Sequence, residues 1–520
     1  MRRLNGGDSS GNAGISRRKL MQASALALGV GTVGLPMGCS NNGRSKSSGL
    51  QSLAKSLTGE LLLPAAPGFH DENLPANDIY ENVVPVGIAM CATPDDVQKC
   101  VRWCREEGIQ PVIRGGGHNY IGASTTTGLL IKTTRMNKVE VDPATGVMSI
   151  EGGTLNRDLL NALRGGDWML PIGTCPGVGV AGLVLGGGFG DNSRWAGMTC
   201  DHLVSTDVVL ASGERVTADQ VSNPDLFWAL RGGAGGNFGA NTSFTFQLVR
   251  IPRPKISIFG FRFSGEQEMI AAWSAFDKLM IDAPPELSGF TGITNVRPLG
   301  GGASPSPGRA DPYPQFTIDG CFQGSSSTLR EILAPVFDVA KPADYLLGEF
   351  DFWDAQINWL AVPLMPKHGL AEASRYTSAP IPTDVLSELV SRVAKAPGGT
   401  EEANAEVRLM CWSGGKVNEV APDATAYPHR NSNNLLRPAI WWASQPDSLI
   451  RDLQDWQRET FAYVSQHAEK GSFVNWPYAE LDDWARAYYG GNLERLVSVK
   501  EAVDPGNVFS YRQSIPTSLP

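Results

Sequence analysis

Two glycine runs constrain this chain more than any other feature. The first is Arg114-Gly115-Gly116-Gly117-His118-Asn119-Tyr120; the second is Gly173-Thr174-Cys175-Pro176-Gly177-Val178-Gly179, followed by Gly186-Gly187-Gly188-Phe189-Gly190. Consecutive glycines let a backbone approach a ligand closely and turn several N–H groups toward one anion, most often a diphosphate. Each run also carries one reactive side chain, His118 or Cys175. A plain tight turn explains one such run; it does not explain an imidazole in one and a thiol in the other.

The rest of the chain narrows the options. With 520 residues it exceeds a single small core, so two domains or one bilobal unit is expected. The formal charge of −9 with no basic stripe argues against a nucleic-acid partner. Eight cysteines are too sparse for a disulfide framework. Cys100 and Cys104 lie one helical turn apart but have no complementary pair, so no metal is expected. The glycines do not open a helix in a G-x-G-x-x-G fingerprint with a later ribose-binding acid, which argues against a nicotinamide cofactor.

Both runs resemble those of the berberine bridge enzyme-like flavoproteins, of the p-cresol methylhydroxylase and vanillyl-alcohol oxidase superfamily. The resemblance extends to Asn223-Pro-Asp-Leu-Phe-Trp-Ala-Leu-Arg-Gly232-Gly233, to Gly235-Gly-Asn-Phe-Gly239, and to Tyr488-Tyr-Gly and Val503-Asp-Pro-Gly-Asn-Val-Phe509. It implies an α+β fold: a two-lobed PCMH-type FAD-binding domain plus a substrate domain whose antiparallel sheet is backed by helices. The expected division is a leader and linker over 1–50, the FAD-binding domain over 75–255, the substrate domain over 256–470, and a C-terminal return to the FAD domain over 471–520.

By the same resemblance FAD is attached twice, through its 8α-methyl to His118 and through C6 to Cys175. A neutral imidazole and a thiolate are the nucleophiles such bonds need. The implied cofactor set adds Arg114, Gly115, Gly116, Gly117, Asn119, Gly173, Val178, Gly179, Gly182, Gly186, Gly187, Gly188, Asn237 and Asn475. A small residue at Val178 leaves room for O2 and favours an oxidase acting on an alcohol, a sugar or a secondary metabolite. A same-fold dehydrogenase passing electrons to a quinone or carrier, or a non-catalytic flavin-bearing binding protein, is the alternative.

The chain departs from the family where proton transfer is expected. Phe473 and Trp476 replace the tyrosines of a Y-x-N-Y motif, and the polar position the family places on the roof strand falls near Ala439. Tyr478, Arg437, Glu406 and Arg408 are the remaining candidates for a base; His429, in a Pro-His-Arg turn, is read as framework. Of Trp353, Trp359, Trp412, Trp441 and Trp442, a subset facing the flavin would suit a flat, bulky or sugar substrate.

Ser16-Arg17-Arg18-Lys19-Leu20-Met21, followed by a mild apolar run, resembles a twin-arginine export signal, so the translocase is an expected partner and the protein is expected outside the cytoplasm. Cys39, after Leu35-Pro36-Met37-Gly38, is a candidate lipidation point; ordinary cleavage and release is the alternative.

Overall fold

The computed structural model describes residues 46–296, 314–361 and 368–519. The segment that resembles an export signal, Cys39 and most of the Gly/Pro/Ser-rich run at 298–314 lie outside the described residues.

Local rules decide many boundaries. Thr93 accepts the Asp96 N–H, Pro94 occupies the first helical position, and Gly108 closes the helix Pro94–Glu107 at φ 63°. Val97, Cys100, Val101 and Cys104 form its buried stripe. Two further starts follow the same rules. The helix after Thr154 is Asn156–Leu163, because the Thr154 hydroxyl donates back to the Glu151 carbonyl while Asp158 accepts the Leu155 N–H. The helical run from Ser326 to Val339 is split into Ser326–Ile332 and Ala334–Val339, with Pro335 at the start of the second, where no N–H is needed.

The first sheet has the order β1 (Glu60–Leu62), β2 (Gly87–Met90), β4 (Leu129–Lys132), β3 (Pro111–Arg114). β2, β4 and β3 run parallel, and Ile88, Ala89, Leu129, Leu130 and Ile131 are fully buried, as strands covered on both faces require. β3 delivers the chain straight into the first glycine run.

The second sheet is antiparallel: β5 (Val139–Val141), β6 (Val147–Glu151), β10 (Ala240–Gln247), β8 (Leu203–Val209), β9 (Arg215–Asp219). A minor pair joins β7 (Trp168–Met169) to β11 (Val249–Arg250).

The third sheet runs β15 (Asp344–Asp351), β12 (Lys255–Phe263), β14 (Gln315–Phe322), β13 (Leu287–Thr294), β18 (Ala403–Cys411), β19 (Asn434–Trp442), β16 (Gly369–Glu372), with β17 (Arg375–Thr377) also on β19. Every pairing in it is antiparallel. The helices Glu266–Asp282 and Thr383–Ala394 pack on one face, where Trp273, Phe276, Leu386 and Leu389 meet Ile293, Val407, Leu409 and Leu436; Val464 of the helix Asp447–His467 joins the same cluster. Alternation then turns Glu406, Arg408 and Met410 of β18, and Arg437, Ala439 and Trp441 of β19, to the opposite face. The fold is α+β, with an antiparallel sheet backed by helices as expected.

The C-terminal helix Leu493–Val503 is tied to the glycine-rich segment before β10. Fully buried Lys500 donates to the carbonyls of Asn237 and Phe509 at 2.7 Å each and to Asp504 at 2.6 Å. Among the described residues no helix is long and apolar enough to cross a membrane.

Candidate active site

The unpacked face of the third sheet roofs a cavity of about 1570 Å³. Its floor is made by the two glycine runs, which touch each other. A Cβ on Gly116 would lie 2.4 Å from the Gly179 nitrogen and 2.6 Å from the Gly177 carbonyl oxygen, so neither loop tolerates a side chain at the crossing. Asn119 shapes the first loop by accepting the N–H groups of Ile121 and Ala123 on one oxygen. Asn156, fully buried, shapes the second by donating to the Gly173 and Cys175 carbonyls.

His118 and Cys175 both line this one cavity. Burial lowers the His118 pKa, and the facing His368 lowers it further, so the imidazole is neutral and nucleophilic. Burial pushes the Cys175 thiol up; Thr174, Arg437 and Arg408 oppose this while Glu372 adds to it. The protein alone therefore does not hold a resting thiolate there.

The remaining expected residues divide. Arg114, Gly115, Gly116, Gly117, Asn119, Gly173, Val178, Gly179, Gly182 and Asn475 line the cavity. Arg114 fastens the floor through Ser124 and Asn73 carbonyls, each at 2.7 Å, while its Nη2 is buried with no partner. Gly186, Gly187, Gly188 and Asn237 stand behind the wall. Gly186 makes room for Asn475, whose Oδ1 would lie 2.0 Å from an added Cβ, and Asn475 in turn donates to the Leu183 carbonyl. Gly187 and Gly188 adopt φ of 109° and 88° against Met198 and Thr199. Asn237 is fully buried, donating to Gly233 and Tyr511 and accepting from Ile515.

Two of the candidate bases are corrected by the geometry. Tyr478 is outside the cavity wall; its ring packs on Phe461 and its hydroxyl donates to Glu480 at 3.2 Å. Arg437 lines the cavity, but as a clamped cation: Nη1 donates to Glu372 and Nη2 to Glu406, both at 2.9 Å, and its guanidinium lies 5.0 Å over the Trp476 ring. Those two carboxylates raise its pKa against the cost of burial, so it cannot take a proton. Glu406 also pairs with Arg408 at 2.9 Å. His429 is off the cavity, stacked on Tyr376 and bonded to the Tyr488 carbonyl.

Glu372 was not singled out from the sequence. It is 2% exposed, and burial raises its pKa, with Arg437 the main opposing influence. Tyr120 and Asp191 also line the cavity unforeseen. Asp191 accepts the Trp412 indole N–H at 3.1 Å, and burial pushes its carboxyl up to about 7. Of the five tryptophans, Trp359, Trp412 and Trp441 line the cavity; Trp353 and Trp442 pack in cores.

The cavity fits a large cofactor. Gly182 lies on its wall with nothing within 4 Å of where a Cβ would stand, and Arg114 offers an unpaired donor beside the first loop. Among the described residues no group of three or more His, Cys, Asp or Glu is arranged to hold a metal.

Comparison with known proteins agrees with this architecture. Residues 85–219 match the FAD binding domain model, and residues 472–516 match the model described as berberine and berberine like. An uncharacterized FAD-linked oxidoreductase of Bacillus subtilis, YgaK, is 29% identical over 467 residues, covering 88% of this chain and 97% of that protein. The xylooligosaccharide oxidase of Thermothelomyces thermophilus is 28% identical over 453 residues, covering 83% and 87%. The solved structure of glucooligosaccharide oxidase from Acremonium strictum, described with a 6-S-cysteinyl, 8α-N1-histidyl FAD, superposes with a TM-score of 0.78 at 24% identity, over 91% of this chain and all of that one.

Proposed function

We propose that this chain, an FAD-linked oxidoreductase, is a berberine bridge enzyme-like oxidase. In this reading it holds FAD through both His118 and Cys175, oxidises a hydroxyl-bearing carbon of an oligosaccharide, and passes the electrons to O2. The observation that carries the reading is the contact between the two glycine loops at Gly116 and Gly179, which brings an imidazole and a thiol to one cavity wall. Bound FAD would supply the two-electron oxidant. The protein's part is to hold and shape. Neutral His118 and Cys175 give the attachment points, Asn119 and Asn156 keep their loops rigid, and Arg114 adds a donor with a free N–H.

The roof supports the substrate class. Trp412, Trp441 and Trp476 offer flat apolar faces, and the Glu372–Arg437–Glu406–Arg408 array offers charged hydrogen-bonding groups between them, a combination suited to a sugar ring. Two of the similar proteins are named for oligosaccharides. Val178 supports O2 as acceptor: it lines the cavity three residues after Cys175, with its N–H bonded to the Cys175 carbonyl.

The test is acid precipitation of purified protein. His118→Ala and Cys175→Ala each keep a yellow pellet, and the double variant releases its flavin to the supernatant. A double variant that retains flavin in the pellet refutes the assignment. Peroxide formed from cello- or xylooligosaccharides with air as sole acceptor tests the reaction; electron transfer only to a quinone dye makes the protein a dehydrogenase instead.

A further inference from the structure

We propose that Glu372 is the group that takes the hydroxyl proton of the substrate, replacing the absent tyrosines of the usual motif; this rests on the oxidase reading above. The argument is one of strand register. In the antiparallel pairings Ala439 of β19 lies opposite Glu372 of β16 on one side and Glu406 of β18 on the other. Residues directly opposite each other in a sheet project to the same face. The silent position on the central strand is therefore flanked by two carboxylates in one row, both lining the cavity.

The two are not equivalent. Glu406 has both oxygens in ion pairs, Oε1 with Arg437 and Oε2 with Arg408. Glu372 meets Arg437 through Oε2, and among the described residues no hydrogen bond occupies Oε1. A carboxylate saturated by two guanidinium groups is a poor acceptor; one with a free oxygen in a buried site is a better one. The charged and titratable groups facing Glu372 are Arg437, Glu406 and Arg408 from the roof and Tyr120 and Cys175 from the floor. Burial outweighs the two arginines and leaves its pKa raised, which suits a base working nearer neutrality.

The step balances. A hydroxyl-bearing carbon that becomes a carbonyl gives up two electrons and two hydrogens. One hydrogen and both electrons would leave from the C–H bond to FAD, which in the proposed function would supply the two-electron oxidant. The other hydrogen leaves the O–H as a proton, and the Glu372 carboxylate takes it, with Arg437 keeping the side chain in place.

Two measurements on the holoenzyme test this. In infrared difference titration the wild type is expected to show, beside the protonated-carboxyl signals of Asp191 and Asp277, one further band that persists above the ordinary glutamate range and is lost from the Glu372→Gln spectrum while the other two remain. An unchanged spectrum in E372Q overturns the proposal, whatever the substrate proves to be. In anaerobic flavin bleaching with xylobiose and cellotetraose, E372Q is expected to lower the rate by ~100-fold or more and to flatten its rise with pH, with Glu372→Asp recovering part of the rate. An acid limb that stays in place in E372Q also overturns it. Wild-type flavin that no sugar bleaches counts against the oligosaccharide reading alone, and the infrared band then decides the role of Glu372. Should E372Q not load FAD, E372D takes its place, and a band that does not move in E372D is the overturning result.

Discussion

Asp191 shows how one buried side chain can set the pH response of the whole protein. Its carboxyl is buried against Trp412, and burial raises its pKa from an ordinary value to about 7. A raised carboxyl binds its proton more tightly in the folded than in the unfolded chain. Its stabilising contribution is complete below the unfolded value of roughly 4 and is lost as pH rises through about 7. Asp277, raised to about 6 by burial while accepting from Ile381 and Asn434, acts in the same direction. Asp191→Asn is therefore expected to flatten the fall in melting temperature between pH 4 and 7 and to stabilise the protein at pH 8, by an amount on the order of a few kcal/mol. Thermal melts across that range check it; a wild-type slope kept in the variant excludes Asp191 as its source. At this scale the sequence was most readable for His118 and Cys175, because a glycine run and a reactive side chain are neighbours in the chain. It was least readable for Asp191, whose raised pKa comes from burial in the folded chain, against the opposing hydrogen bond of the Trp412 indole that follows β18.

At the scale of elements, the third sheet divides its labour by face. One face is closed by helices through Trp273, Phe276 and Leu389; the other carries the Glu372–Arg437–Glu406 array. Removing one member of a buried ion array leaves its partners uncompensated, which costs more than an exposed pair is worth. Arg437→Met is expected to destabilise the protein by about 3–5 kcal/mol and, by removing the main influence opposing burial, to raise the pKa of Glu372 further, seen as a lower melting temperature above neutral pH that recovers as pH falls. A variant as stable as wild type at pH 8 would mean that the array contributes nothing to the sheet. The strands themselves are marked locally, as by the apolar alternation of β12. Their partners are not. Glu372 sits in a four-residue strand with no local mark, and its place beside Ala439 exists only in the pairing of β16 with β19.

For the whole molecule, Lys500 and the Asn475 segment show the C-terminal stretch closing onto elements laid down far earlier, through the Asn237 and Leu183 carbonyls. The run at 16–21 resembles a twin-arginine signal; if it acts as one, Arg17→Lys with Arg18→Lys keeps a flavin-loaded precursor inside the cell, measured by fractionation and flavin absorbance, and an unchanged distribution excludes that role. The amino-acid sequence by itself determined the glycine loops, their two nucleophilic side chains, the helix caps and the strand faces, because each depends on residues within a few positions of one another. Only the tertiary structure decided that Gly116 and Gly179 cross, that Tyr478 faces away, that Arg437 is clamped, and that two glutamates flank a silent alanine. Those outcomes depend on register and burial, which join residues hundreds of positions apart and leave no periodic trace in the chain.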